Sequence, residues 1–197
     1  MNHLLALGTP AIAGICAGAA VLLIIIAFFG WYVSTYNRLM RLKNLAEEGW
    51  ATIDVQLKKR YDLIPNLVET VKGYAKHESG TLEAVIRARN AAMTATGDEK
   101  IAAENVLTGT LKSLFALQES YPDLKANTNF MDLQNQLSRI ETEIASARRY
   151  YNGTVKELNS RIDTFGVAWI ARRMRIEKRK YFELDSEEER KAVKVQF

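Results

Sequence analysis

His77-Glu78 opens like a zinc-binding helix in which a second histidine stands four residues after the first, but that position is Thr81. With only His3, His77 and a lone Cys16, neither a histidine cage nor a thiolate cage for a metal can be assembled. The Glu-x-x-His pairs of di-metal bundles are absent, and no glycine is followed by Lys-Ser or Lys-Thr to cradle a phosphate. Ser113 and Ser138 have no histidine near them to serve as a base. Glu47-Glu48 and Glu141 with Glu143 could in principle act as acid and base. Both pairs sit on helices that also carry cations, so solvated charge faces account for them. The reading is a protein that is not an enzyme and needs no cofactor.

The remaining cluster with chemistry in it lies near the C-terminus. Residues 166–176 mix Val167, Trp169, Ile170, Met174 and Ile176 with Arg172, Arg173 and Arg175, and Lys178, Arg179 and Lys180 follow. A basic amphipathic helix of this kind can lie on an anionic lipid surface. It can equally pair with Glu183, Asp185 and Glu187 to Glu189 downstream, in its own or a neighbouring subunit. Nucleic acid is not expected as a partner, because the cations are local and no base-reading module accompanies them. Asn66, Asn127 and Asn152, polar residues near aromatics, read either as a recognition surface or as caps and turn formers; for Asn127 the second is expected, with Asn127 or Asn129 capping the helix that follows. Tyr61, Tyr74, Tyr150 and Tyr151 could line a binding pocket, but aromatics at helical spacing are more often core.

The elements that position these residues begin with an apolar run. No charged residue occurs between Leu4 and Tyr36, and residues 11–29 alone nearly supply the roughly 20 apolar residues a bilayer core requires. A cleaved signal peptide would want a positive start and small residues at its end, where this chain has Phe28, Phe29, Trp31 and Tyr32. Trp31, Tyr32 and Tyr36 suit the headgroup level, and the cations Arg38, Arg41 and Lys43 come just past them. That asymmetry predicts a single-pass anchor in a bacterial inner membrane, N-terminus out and the following domain in the cytoplasm. Within the run, Gly14 and Gly18 lie beside Ala13 and Ala17. This flat stripe either packs a second copy of the helix or reflects the ordinary glycine content of membrane helices.

After the anchor, apolar residues recur at three- and four-residue steps. Leu39, Leu42, Ala46, Trp50, Ile53 and Leu57 continue the first helix, and Lys58-Lys59-Arg60 reads as a cationic patch open to solvent. Pro65 predicts a kink rather than a stop, because the stripe Ile64, Leu67, Val68, Val71 and Tyr74 survives it. Helices are expected near 81–94 and 99–119, the second capped by Asp98. A long coiled-coil-like helix then runs from Phe130 through Leu137, Ile144, Tyr151 and Leu158 to Phe165. The expected fold is all-α: residues 1–36 a transmembrane anchor, 37–165 an elongated up-and-down antiparallel helical bundle, 166–197 a basic then acidic tail.

Several segments resemble the bacterial LemA family. Tyr36-Asn37 and Gly49-Trp50 follow the anchor, and the most specific block runs Asp54-Val55-Gln56-Leu57-Lys58-Lys59-Arg60-Tyr61-Asp62-Leu63-Ile64-Pro65 and on to His77-Glu78. Tyr121-Pro122-Asp123-Leu124, Ala147-Arg148-Arg149-Tyr150-Tyr151-Asn152 and Tyr181-Phe182 extend the likeness over nearly the whole chain. The resemblance implies a single-pass membrane protein with a helical bundle and supplies no catalytic residues. Arg172 to Lys180 departs from the more apolar family pattern, so a shared role for that segment does not carry over. The expected role is a membrane-anchored, non-enzymatic scaffold or adaptor, homo-oligomeric and binding a membrane or cytoplasmic protein. The alternative is a lipid-surface sensor or remodelling protein that uses the basic tail.

Overall fold

A computed structural model describes residues 8–183, with side chains from residue 13 onward apart from Asp98. Among these residues six α-helices follow one another: α1 Gly8–Tyr74, α2 Ser79–Thr94, α3 Gly97–Ala116, α4 Pro122–Lys125, α5 Thr128–Ile162 and α6 Val167–Arg173. A 3-10 turn, Leu117–Glu119, links α3 to α4, and no strand occurs among the described residues. The all-α expectation holds. Two compact units share these helices. Within the described residues, the first comprises 8–45 and Glu157–Arg179, the second Ala46–Lys156 and 180–183.

In the first unit, α1 carries the apolar run. Its most apolar 18-residue window has a mean hydropathy of 2.5, and none of that window is buried. By length and composition this is a candidate membrane span. Further along, Leu39 and Leu42 are buried, as are Leu158 of α5, Val167, Ile170 and Ala171 of α6, and Ile176. The corner between α5 and α6 departs from expectation. The stripe predicted to reach Phe165 stops at Ile162, and Phe165 is wholly exposed. The chain reverses there through Gly166 at φ +81, a left-handed conformation that glycine takes freely. A Cβ on Gly166 would already stand 3.4 Å from Cη2 of Trp31.

The amphipathic helix expected over 166–176 forms only as the seven residues of α6. It ends because Arg175 adopts φ 53, while Ile176 N–H donates to the Ala171 carbonyl and Arg175 N–H to that of Arg172, at 3.0 and 3.2 Å. That is a Schellman termination with arginine where glycine is usual, sealed by buried Ile176 and Ala171.

The second unit holds the larger core. Ala46, Ile53, Leu57, Ile64, Leu67 and Val71 of α1 are nearly inaccessible, matched by Val85 and Ala92 of α2 and Leu107 and Leu114 of α3. From α5 come Phe130, Leu137, Ile144, Tyr151 and Val155, and α4, which the sequence pattern did not suggest, adds Leu124. Gly49 marks a close approach: a Cβ there would lie 3.3 Å from both the Tyr150 ring and the Tyr151 Cα. Asn127 Oδ1 accepts from Phe130 N–H at 2.8 Å, the cap expected for α5. Asp98 is not the cap of α3. The helix starts at Gly97 with Thr96 in the N-cap position, which leaves Asp98 inside the first turn.

Pro65 sits inside α1 without ending it. Proline has no amide to donate to the carbonyl four residues back, which is that of Tyr61. Arg89 of α2 fills the gap, its Nε donating to the Tyr61 carbonyl at 2.8 Å. Arg89→Met should therefore cost about 1–3 kcal/mol, the penalty for orphaning a partly buried acceptor. In a Pro65→Ala background, where the new residue can supply the missing amide, the same change should cost much less. Denaturant unfolding of the four proteins in detergent measures the difference; equal costs in both backgrounds would refute the rescue by Arg89.

Candidate functional site

Two polar constellations emerge, one in each unit. In the second unit, Arg60 does not belong to a solvated cationic patch. Its side chain is 2% exposed, while Lys58 and Lys59 remain outside in loose pairs with Asp62 and Glu143. The stripe Ile53, Leu57, Ile64 explains why, since a step of three from Leu57 lands on Arg60. A buried guanidinium needs carboxylates. Arg60 Nη2 pairs with Glu104 of α3, itself buried, and Nη1 reaches Glu141 of α5 at 2.6 Å and Thr108 at 3.2 Å. The Tyr61 hydroxyl donates to the other Glu104 oxygen. Burial, then that hydrogen bond, pushes the Tyr61 hydroxyl well above its ordinary range, so it stays a donor. The cluster joins α1, α3 and α5 by charge. It presents no paired, solvent-reached acid and base of the kind hydrolysis uses.

In the first unit, the sequence-predicted interface residues gather at one corner. Trp31 and Tyr36 are exposed and Tyr32 half-buried. Arg38 donates to Glu157 at 3.2 Å, Arg41 is exposed, and Lys43 is half-buried beside Arg175 to Arg179 around a recess of about 280 Å³. Trp169, Arg172, Arg173 and Arg175 are exposed, and the three arginines form no ion pair among the described residues. Lys178 instead pairs with Asp163 at 2.8 Å. The acidic residues Asp185 and Glu187 to Glu189, considered as its partners, lie outside the described residues. Gly14, Gly18, Ala13 and Ala17 are exposed on α1, with nothing within 4 Å of a Cβ added at either glycine.

Arg179 and Lys180 are held by their backbones rather than offered as a free basic tail. Asn159 clamps Arg179, accepting from its N–H at 3.0 Å and donating to its carbonyl at 2.8 Å. In the second unit Asn152 does the same to Phe182, at 2.8 and 3.0 Å, and the Tyr151 hydroxyl donates to the Lys180 carbonyl at 3.1 Å. Phe182 is buried against Trp50, its ring also covered by Arg148 at 4.6 Å. Asn152 is thus a clamp on a distant backbone rather than the cap or turn former its sequence context suggests. Sequence reasoning also misses the roles of Asn159, Arg60 and Glu104.

With that geometry in view, comparison with known proteins gives one clear result. The model of the LemA family matches residues 49–197, three quarters of the chain. The chain belongs to the LemA family. Protein LemA of Metamycoplasma hominis is a relative, 28% identical over 152 residues that cover 75% of this chain and 68% of that protein. The matched region takes in the Arg60 cluster and both asparagine clamps, so these are features of the LemA portion rather than of the apolar run.

Three outcomes follow for the second unit. Arg60→Met should destabilise the protein by about 3–5 kcal/mol by stranding Glu104, and Arg60→Met with Glu104→Leu should recover most of that loss. Asn152→Ala should cost about 1–3 kcal/mol and free the C-terminal segment to hydrogen exchange. The unfolded chain loses the Tyr61 proton above about pH 10 while the folded chain keeps it. Stability over Tyr61→Phe is thus fully present below that pH and should shrink as pH rises through it, in paired urea titrations.

Proposed function

We propose that this LemA-family protein is a membrane-anchored, non-enzymatic scaffold or adaptor that acts by self-association and by binding a membrane or cytoplasmic protein. The observation that carries this is α1 itself. One helix holds an apolar stretch with no part of its most apolar window buried, and then contributes the central stripe of a packed core. Exposed apolar surface of that extent needs a lipid or protein environment. The cations Arg38, Arg41 and Lys43 on one side only support a single pass through a bacterial inner membrane, with the bundle in the cytoplasm. The open Gly14 and Gly18 face gives self-association a place to occur.

A second reading, a lipid-surface sensor, is supported by exposed Trp169 with Arg172, Arg173 and Arg175. Light scattering of the full chain in mild detergent should give a discrete oligomer, and Gly14→Leu with Gly18→Leu should reduce its mass. A monomer in both would end the self-association claim and favour the second reading. An impermeant thiol label should spare cysteines placed in the bundle of intact cells; labelling there would reverse the orientation.

A further inference from the structure

Phe165 and Trp169 are the apolar residues the first unit leaves most conspicuously uncovered near the corner between α5 and α6. Phe165 is 101% exposed and Trp169 61%. Their position decides what covers them. Gly166, next to Phe165, lies against the Trp31 ring, and Trp31 is two residues, about 3 Å of helix rise, beyond the apolar run ending at Phe29. The Arg38–Glu157 pair lies about 10 Å further along α1 from Trp31. Arg161 is one turn from Glu157 toward the corner, so it stands between those two levels. A headgroup layer about 5–7 Å thick borders each side of the hydrocarbon core, and the Arg161 backbone, about 7 Å past Phe29, lies at its outer edge, from which the long side chain reaches inward.

The same corner carries a cavity of about 170 Å³ lined by Trp31, Thr35, Arg38, Arg161, Thr164 and Phe165 among others. Arg38 is engaged by Glu157, whereas Arg161 has no ion pair among the described residues. Asp163 is already taken by Lys178. Arg172 and Arg173 follow Trp169 by three and four residues, on its side of α6, and are exposed. The cavity lining thus combines the aromatic rings of Trp31 and Phe165 with the hydroxyls of Thr35 and Thr164 and with Arg161, a cation that no carboxylate engages among the described residues.

We propose that this corner is a glycerophospholipid site. Phe165 and Trp169 enter the boundary between acyl chains and headgroups of the leaflet α1 leaves, and Arg161 takes the phosphate of an anionic headgroup. Anionic lipid fits better than choline lipid because Arg161, Arg172 and Arg173, none of them in an ion pair among the described residues, repel a second cation. The site rests on α1 being a membrane span, and it gives the protein a second hold on the same leaflet.

Full-length protein in phosphatidylcholine–phosphatidylglycerol vesicles tests this with lipids brominated near the carbonyl end of the chain. Trp31 alone, in W50F/W169F, reports the span. Trp169 alone, in W31F/W50F, and F165W in W31F/W50F/W169F report the corner. All three should be quenched by the brominated lipid. Quenching of Trp31 with neither corner reporter quenched overturns the lipid site, leaves the anchor standing and turns the corner over to a protein partner. No quenching of Trp31 fails the anchor itself.

Phosphatidylglycerol retained through purification should fall about fivefold in Arg161→Gln, one cation's share of surface attraction. Unchanged retention removes Arg161 from the site. Displacement of the lipid by inorganic phosphate at the concentration at which phosphatidylglycerol itself competes would reassign the cavity to free phosphate.

Discussion

A guanidinium taken out of water costs several kcal/mol unless carboxylates meet it in good geometry, and the second unit is arranged around that demand. Arg60 belongs to α1, Glu104 to α3 and Glu141 to α5, so a single charge ties three helices. Tyr61, the next residue, adds its hydroxyl to Glu104 and receives Arg89 of α2 on its carbonyl. Rotating α3 by one residue would carry Glu104 off the buried face and strand Arg60. Hydrophobic packing tolerates such slips far better than an unpaired buried ion does. The cluster therefore sets which face each helix turns inward.

The consequences of Pro65 follow from the same neighbourhood. Proline inside a helix normally bends it, because one carbonyl loses its donor. Here α2 supplies a charged donor to that carbonyl, and α1 remains one helix from Gly8 to Tyr74. The local cost of the proline is offset by a tertiary contact. A pattern-based reading of α1 alone has no way to see this.

The periodic elements were legible in the residues: the apolar run, the stripe of α1, and the long stripe of α5 from Phe130 to Leu158. Each repeats one signal many times, so single exceptions do not hide it. The isolated choices were not legible. Arg60 looked like the end of a basic patch because Lys58 and Lys59 precede it. The step of three from Leu57 to Arg60, and the step from Leu107 back to Glu104, were the available clues. Phe165 fitted the α5 stripe by spacing, yet Gly166 reverses the chain before that stripe can continue. Arg175 in a left-handed conformation shortened α6 where glycine would have announced the end. Asn152 and Asn159 act on backbone, and nothing in the identity of Arg179 or Phe182 points to the side chain that holds it.

Membership of the LemA family fits this division of labour. The family match begins at Gly49, where a side chain would press on the Tyr151 backbone. Close helix approach, the buried ions and the clamped C-terminal segment all fall inside the matched region.

The clamp at Asn152 also bears on how the chain ages. Asn152 is followed by Gly153, and asparagine before glycine is the pairing at which a side-chain amide is most readily lost, by attack of the following backbone nitrogen. Helical backbone holds that nitrogen away from the side-chain carbonyl, and two hydrogen bonds to Phe182 fix the amide itself. Were the amide hydrolysed, a carboxylate oxygen would replace the nitrogen that now faces the Phe182 carbonyl, and attraction would become repulsion. Tight folding thus delays the very reaction that would undo it, and any chain that loosens at Asn152 for long enough acquires a permanent chemical record of having done so.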